Sequence, residues 1–134
     1  MKLSYLLIKG LLKAGLVLSL SFHLILGQVW AKDISQERLL ALMLMSKKPL
    51  LIDVRTPEEF NDGHIEGAQN SPHEEVINEI EDLKKYKTIY VHCKMGGRAK
   101  IAAQTLQGAG LENIVCVSDG GMQRWEDMGW PVVK

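Results

Sequence analysis

The sequence predicts a single α/β domain in which a parallel β-sheet is covered by helices on both faces. Short apolar runs alternate with helical patterns from about Asp33 to the C-terminus, and this alternation is typical of a parallel sheet with crossover helices. The run from Leu50 to Val54 has the pattern of a strand buried on both faces. With 134 residues, the chain is long enough for one domain and not for two.

The N-terminal segment has the pattern of a secretory signal. Three lysines precede an apolar run from Ala14 to Leu26, and modest or small residues follow at Val29 and Ala31. We expect cleavage after Ala31, export to the periplasm and a folded domain over residues 32–134. The alternative is an uncleaved membrane anchor, although polar residues interrupt the apolar run and a spanning helix needs about 20 mostly apolar residues.

The first predicted helix is capped by Asp33 or Ser35 and runs to about Ser46. Its apolar residues recur at helical spacing, which predicts one buried face. They are Leu39, Leu40, Met43 and Leu44. We also expect Met45 to lie in the core.

The strand over 50–54 is followed by a short helix. Thr56 can cap this helix, Pro57 suits its first turn, and Glu59 can bond back to complete a capping box. The helix should end near Gly63 because glycine is frequent just after helix ends.

The second half of the chain continues the alternation of strands and helices. The predicted elements are a turn and brief strand over 65–70, a helix over 74–83 that follows Ser71 and Pro72, a strand over 88–92, a helix over 97–108, a strand over 113–117 and a final helix from Gly120 to Gly129. The residues expected to face inward are Val76, Ile77, Ile80 and Leu83 in the first of these helices, and Ile101, Ala102, Thr105 and Leu106 in the second.

The charge pattern excludes a nucleic-acid-binding protein. The net charge of the whole chain is zero, and the first 31 residues contain three lysines and no acid, so the remainder carries a net charge of −3. Nucleic-acid binding would need a clustered basic face. The two cysteines do not form the clustered pairs of a zinc site, so we expect no metal and no other cofactor.

Cys93 is the candidate nucleophile. It closes the strand over 88–92 and opens the loop Cys93-Lys94-Met95-Gly96-Gly97-Arg98. A cysteine attacks as its thiolate. The glycines allow backbone N–H groups to point into one concavity, the next helix adds its positive N-terminus, and Lys94 and Arg98 add cations. Cys116, in contrast, lies in an apolar run and is expected to be a buried core thiol rather than a disulfide partner.

The wider sequence resembles the rhodanese-like sulfurtransferases. The matching motifs are Ile52-Asp53-Val54-Arg55 with Glu58-Glu59-Phe60, then Gly63-His64-Ile65-Glu66-Gly67-Ala68, then Val91 to Ala99, then Gly120-Gly121 with Trp125, and finally Gly129-Trp130-Pro131. They occur in the order of the family and span most of the chain after the signal. A small exported protein with one such domain resembles the phage-shock protein E type of periplasmic rhodanese.

This resemblance implies a three-layer fold with about five parallel strands, and it implies a reaction. Cys93 would take sulfur from a small donor such as thiosulfate, hold it as a persulfide, and pass it to cyanide or a thiol, which is covalent catalysis in two steps. Backbone amides from Lys94 to Arg98 would cradle the persulfide. Lys94 and Arg98 would favour an anionic donor, and Met95 would shape access to the loop.

Three different functions could use the same cysteine. Related Cdc25-type phosphatases and arsenate reductases resemble this fold but have five residues between cysteine and arginine, whereas four lie between Cys93 and Arg98. The shorter loop favours sulfur over phosphate. The second possibility is a non-catalytic sulfur carrier or binding module, and the third is a redox protein whose thiol reacts with oxidants.

Asp53 and Arg55, a pair of the family motif, are expected to support the site without taking part in the chemistry. Asp53 matches the family motif and could accept hydrogen bonds from loop amides or from Arg55, which would hold the shape of the site. His64 is expected to be a hydrogen-bonded structural residue. His92 should point away from Cys93, because side chains alternate along a strand.

Overall fold

The fold is described by a computed structural model over residues 31–134. Its centre is one five-stranded parallel sheet with the strand order β1-β5-β4-β2-β3. The strands are β1 Lys32–Asp33, β2 Leu50–Asp53, β3 Gln69–Asn70, β4 Ile89–His92 and β5 Ile114–Val117. Apart from Ala31, the predicted signal lies outside the described residues.

Helices connect the strands. They are α1 Gln36–Met43, α2 Pro57–Asp62, a 3₁₀ helix Val76–Glu79 that continues into α3 Ile80–Leu83, α4 Gly97–Gly108 and α5 Gly121–Asp127. No helix in residues 31–134 is both long enough and apolar enough to cross a membrane.

The core has one apolar cluster on each side of the sheet, which confirms the predicted three-layer α/β class. The first cluster joins β2, β4 and β5 to α4 and the 3₁₀ helix, and it contains Cys93 and Cys116. The second joins α1 to α5 and contains Leu39 and Trp125. Because both faces of the sheet are covered, the sites for chemistry are left at the carboxyl ends of the strands.

Strand β1 was not predicted from the sequence. Lys32 and Asp33 pair with Val115 and Cys116 of β5. Two exposed residues carry no apolar pattern from which a strand could be predicted. Asp33 therefore belongs to a strand and is not a helix cap.

Helix α1 is capped by Ser35, whose Oγ accepts a hydrogen bond from the Arg38 N–H over 3.3 Å. The helix ends at Met43, earlier than predicted. Leu44 is 70% exposed and Met45 is 54% exposed, so the prediction that both lie in the core is wrong. Leu44 and Met45 lie after the last helical residue, so helical spacing no longer places their side chains on the buried face.

Helix α2 has the predicted capping box. The Glu59 N–H donates to Thr56 Oγ1 over 3.3 Å, and the Thr56 N–H donates to Glu59 Oε2 over 3.1 Å. The helix ends at Asp62 with Gly63 as its C-cap. The two hydrogen bonds of the capping box hold the Glu59 side chain at the start of α2.

The predicted helix over 74–83 is interrupted, because its first half is a 3₁₀ helix without a side-chain cap. The Pro72 carbonyl accepts hydrogen bonds from both the Glu75 and the Val76 N–H groups, which tightens this turn. Ile77 is consequently exposed and not buried as predicted. A 3₁₀ helix has three residues per turn, so the apolar stripe expected of an α-helix does not form.

Helix α4 has the predicted bounds, and two of its four predicted inward residues, Ala102 and Leu106, are buried. The buried residues are Ala99, Ala102, Ala103 and Leu106. Ile101 and Thr105 are exposed, so their predicted inward orientation is wrong. The small alanine side chains let the helix backbone approach the sheet closely.

Candidate active site

Cys93 lies directly after β4, at the carboxyl end of the sheet, and is 1% exposed. Two main-chain donors point to its sulfur. The Gly96 N–H points to Sγ over 3.1 Å, and the Ala99 N–H does so over 3.4 Å. Of the amides predicted from Lys94 to Arg98, the one described as pointing to the sulfur is that of Gly96. One of these donors, Ala99, lies just beyond the predicted loop. Two N–H dipoles converging on one point are the arrangement of an anion-binding concavity.

The two glycines of the loop have different roles. Gly96 has a φ of +103°, and a Cβ built on it would stand 2.1 Å from the Ser118 carbonyl oxygen. Gly97 has open space at the same position. Of these two residues, only Gly96 must be glycine, because of its positive φ and its contact with Ser118. In this position the Gly96 N–H points to the Cys93 sulfur.

The loop is also fixed from the side of α5. The Met122 N–H donates to the Cys93 carbonyl over 2.8 Å, and the Gln123 N–H donates to the Lys94 carbonyl over 3.0 Å. The backbone of Gly121 comes close enough to allow both bonds. In the sequence, this glycine was recognisable only as part of a family motif and had no predicted role.

Arg98 is paired with Glu59 of α2. Nη1 of Arg98 lies 2.6 Å from Glu59 Oε2, and Nη2 lies 2.8 Å from Oε1. The hydrogen bonds from Arg98 lower the pKa of the Glu59 carboxyl to about 2. The guanidinium of Arg98, which was predicted to favour an anionic donor, is thus already paired with the carboxylate of Glu59. In the sequence, Glu59 was recognisable only as a capping residue and as part of a family motif.

Lys94 and Met95 are exposed at the tip of the loop, and the Met95 side chain is among the exposed large apolar residues of the described chain. Cys93 itself is almost completely buried. The two loop residues after the nucleophile are thus open to solvent, whereas the nucleophile is not.

Asp53 and Arg55 form a buried ion pair. Arg55 Nη2 lies 2.6 Å from Asp53 Oδ2, and Nε lies 3.0 Å from both carboxylate oxygens. Arg55 Nη2 also donates to the Gly63 carbonyl over 2.8 Å. The Asn70 amide donates to the carbonyls of Asp53 and Arg55. Asp53 thus bonds Arg55, which was one of the two expected partners, and the pair ties β2 to the end of α2.

His92 is completely buried beside this pair. Its Nε2 lies 3.5 Å from Asp53 Oδ2, but neither ring nitrogen has a hydrogen-bond partner within the described residues. Burial lowers the pKa of His92 to about 4, against the opposing attraction of Asp53. His92 is therefore neutral near pH 7.

His64 is hydrogen-bonded, as expected. Its Nδ1 lies 3.0 Å from the Phe60 carbonyl, and its ring stacks on the Phe60 ring with 3.8 Å between centroids. Cys116 is a free thiol buried in β5, also as expected. Burial raises the pKa of Cys116 to about 12, so this second thiol stays protonated. Among residues 31–134, no three His, Cys, Asp or Glu side chains are grouped to hold a metal ion.

Comparison with known proteins identifies relatives over most of this domain. The family model described as "Rhodanese-like domain" matches residues 35–128. Thiosulfate sulfurtransferase GlpE of Pseudomonas entomophila is 32% identical over 94 residues, which cover 70% of this chain and 84% of that protein. The uncharacterized protein YqhL of Bacillus subtilis is 38% identical over 79 residues, or 59% of this chain.

A solved structure supports the same relationship. The rhodanese-related protein of Thermoplasma volcanium superimposes with a TM-score of 0.66 at 34% identity, covering 76% of this chain and 97% of that one. Among the first curated relatives, the chain spans less than two thirds of their length, 62% of YqhL and 47% of the Synechocystis protein slr1261.

Proposed function

This chain belongs to the rhodanese-like domain family, and we propose that it is a thiosulfate-type sulfurtransferase that carries sulfur as a persulfide on Cys93. The observation that carries the proposal is the position of the Cys93 sulfur within hydrogen-bond distance of the Gly96 and Ala99 amides. These dipoles are oriented before any substrate arrives, so they stabilise a sulfur anion without reorganisation.

In the first step, the Cys93 thiolate attacks the outer sulfur of thiosulfate. A new S–S bond forms on Cys93, the S–S bond of thiosulfate breaks, and its electron pair leaves with sulfite. The enzyme then holds an anionic persulfide. Amides that favoured the thiolate also favour this second sulfur anion, so the intermediate is stabilised where it forms.

In the second step, a nucleophile such as cyanide or a thiolate attacks the outer sulfur of the persulfide. The new bond to sulfur forms as the S–S bond to Cys93 breaks, and the electron pair returns to Cys93 as the thiolate. With cyanide the product is thiocyanate. No external oxidant or reductant is needed in this cycle.

The burial of Cys93 supports a small donor. Cys93 is only 1% exposed. The narrow terminal sulfur of thiosulfate can reach such a buried thiol more readily than a bulky aryl phosphate can. The four residues between Cys93 and Arg98 favour the same choice over a phosphatase or an arsenate reductase. A phosphatase would also need a free arginine fork, whereas Glu59 holds the fork of Arg98.

Thiocyanate formation from thiosulfate and cyanide tests this proposal. We expect turnover by the full chain, its loss in Cys93→Ser, and its retention in Cys116→Ser, which changes the other thiol. Turnover of an aryl phosphate or arsenate in place of thiosulfate would contradict the proposal. Persulfide transfer only to a specific protein would instead support a sulfur carrier.

We further propose that the domain is exported to the periplasm with cleavage after Ala31, from the lysines and apolar run at the N-terminus. N-terminal sequencing of the protein recovered from cells tests this. A mature chain that begins at Lys32 is expected, and a cell-associated chain that retains Met1 would contradict cleavage.

A further inference from the structure

The ion pair between Arg98 and Glu59 joins the active-site loop to α2. Both terminal nitrogens of Arg98 are engaged by the two oxygens of one carboxylate, at 2.6 and 2.8 Å. This bidentate arrangement is the one that arginine also uses to bind tetrahedral oxyanions. Glu59 therefore occupies the position on the guanidinium where an oxyanion would bind.

The pair is held in place from both sides. Arg98 is the last residue of the loop and lies in the first turn of α4. Glu59 is fixed by the capping box of α2, where its carboxylate also accepts the Thr56 N–H. Both side chains are less than one third exposed, at 28% and 29%. A partly buried pair with this geometry is screened less than an exposed one.

The charges near Cys93 support the same interpretation. The pKa of the Arg98 guanidinium is raised mainly by Glu59 and further by the nearby Cys93 and Asp53. Arg98 also directly precedes Ala99, whose N–H points to the Cys93 sulfur over 3.4 Å. The carboxylate of Glu59 therefore opposes the charge of Arg98 beside the loop.

We propose that Glu59 is a specificity-determining residue, which weakens the binding of oxyanions at the Cys93 loop by occupying the terminal nitrogens of Arg98. Sulfate, phosphate and the sulfite product would otherwise bind to the same cation. With Arg98 neutralised, the loop binds its donor mainly through backbone amides. Glu59 then raises the KM for an oxyanion donor and limits inhibition by other oxyanions.

This inference deepens the proposed sulfurtransferase function, and its first test does not depend on turnover. Inorganic phosphate is titrated into the full chain, and its dissociation constant is measured from the NMR shifts of the Gly96 and Gly97 amides. Four proteins are compared: the unchanged chain, Glu59→Gln, Arg98→Gln and the double variant. Glutamine keeps the capping acceptor of α2, because both Glu and Gln complete a capping box.

We expect Glu59→Gln to bind phosphate about tenfold more tightly, since one charge-assisted hydrogen bond to a freed arginine has this magnitude. Arg98→Gln should bind more weakly than the unchanged chain. The double variant should match the unchanged chain within about twofold, because the net charge of the pair is the same in both. Glu58→Gln is the matched control, since Glu58 is exposed on the same helix turn, and it should leave binding unchanged.

Two results would overturn the inference. One is equal phosphate binding by Glu59→Gln and the unchanged chain. The other is an equal gain in Glu58→Gln, which would show a general charge effect. If Glu59→Gln unfolds the protein, the inference is tested by comparing phosphate binding between Arg98→Gln and the unchanged chain. Tighter phosphate binding by Arg98→Gln would contradict the proposal.

Kinetics give a second measurement that separates this inference from the proposed function. In Glu59→Gln we expect the KM for thiosulfate to fall about tenfold with kcat unchanged, because the gain is in ground-state and transition-state binding alike. A chain without thiosulfate turnover that still shows the phosphate pattern would contradict the function and leave the role of Glu59 intact. Normal turnover with no phosphate pattern would contradict only the role of Glu59.

Discussion

The backbone of Gly121 lies directly against the carbonyl oxygen of Cys93, so that a Cβ in place of the Gly121 hydrogen would stand 2.3 Å from that oxygen. The next residue, Met122, donates its N–H to the same carbonyl over 2.8 Å. The start of α5 thus fixes the backbone of the nucleophile, while the Gly96 amide points to its sulfur.

Gly121→Ala should displace the Cys93 loop. Gly121 has a φ of +52° and meets the carbonyls of both Cys93 and Lys94, so alanine adds backbone strain and a clash. We expect a loss of about 2–4 kcal/mol in the free energy of unfolding and slower persulfide formation, measured by urea denaturation and thiosulfate loading. Gly108→Ala is the control, because Gly108 has open space at the Cβ position. Equal behaviour of the two variants would refute the role of this contact.

Asp53→Asn should destabilise the fold through Arg55. The substitution leaves a buried guanidinium without its counter-charge, which typically costs about 3–5 kcal/mol. Asp82→Asn is the comparison, because Asp82 pairs with Lys85 at an exposed position and such pairs contribute about 1 kcal/mol or less. Urea denaturation measures both. A similar small loss in each variant would mean that the buried pair does not hold β2 to α2.

Acid should destabilise the protein through His92 before most carboxylates titrate. The ordinary pKa of 6.5 is lowered to about 4 in the fold. Above pH 6.5 the residue is neutral in both states; below it the unfolded chain binds a proton that the folded chain does not. The free energy of unfolding should therefore fall by about 2 kcal/mol between about pH 7 and about pH 5.

The matched variants for this pH dependence are His92→Leu and His73→Gln. The first removes the buried imidazole and should flatten the pH dependence of the free energy of unfolding in this window. The second changes a half-buried loop histidine and should preserve the dependence. An unchanged slope in His92→Leu would show that other groups cause the acid sensitivity.

The strands of the sheet other than β1, and the Cys93 loop, could be predicted from local patterns. The strand Leu50–Asp53 and the capping box of Thr56 and Glu59 are encoded within a few residues. Apolar runs and capping residues report directly on such local structure. The position of Cys93 at a strand end followed from the same patterns.

The partners of the loop could not be predicted in this way. Arg98 and Glu59 are 39 positions apart in the sequence, and a charged pair at that separation has no local signature. Gly96 meets Ser118 only because β4 and β5 are neighbours in the sheet. The capping role of Glu59 concealed its second role, since one carboxylate serves both α2 and the active-site loop.

Intact-protein mass spectrometry after incubation with thiosulfate tests the central claim most directly. The full chain should gain the mass of one sulfur atom, which cyanide then removes, and Cys93→Ser should gain none. Cys116→Ser should behave as the unchanged chain, because the pKa of Cys116 is raised to about 12 and this thiol stays protonated. No added sulfur on the full chain, or an equal gain in Cys93→Ser, would contradict a Cys93 persulfide.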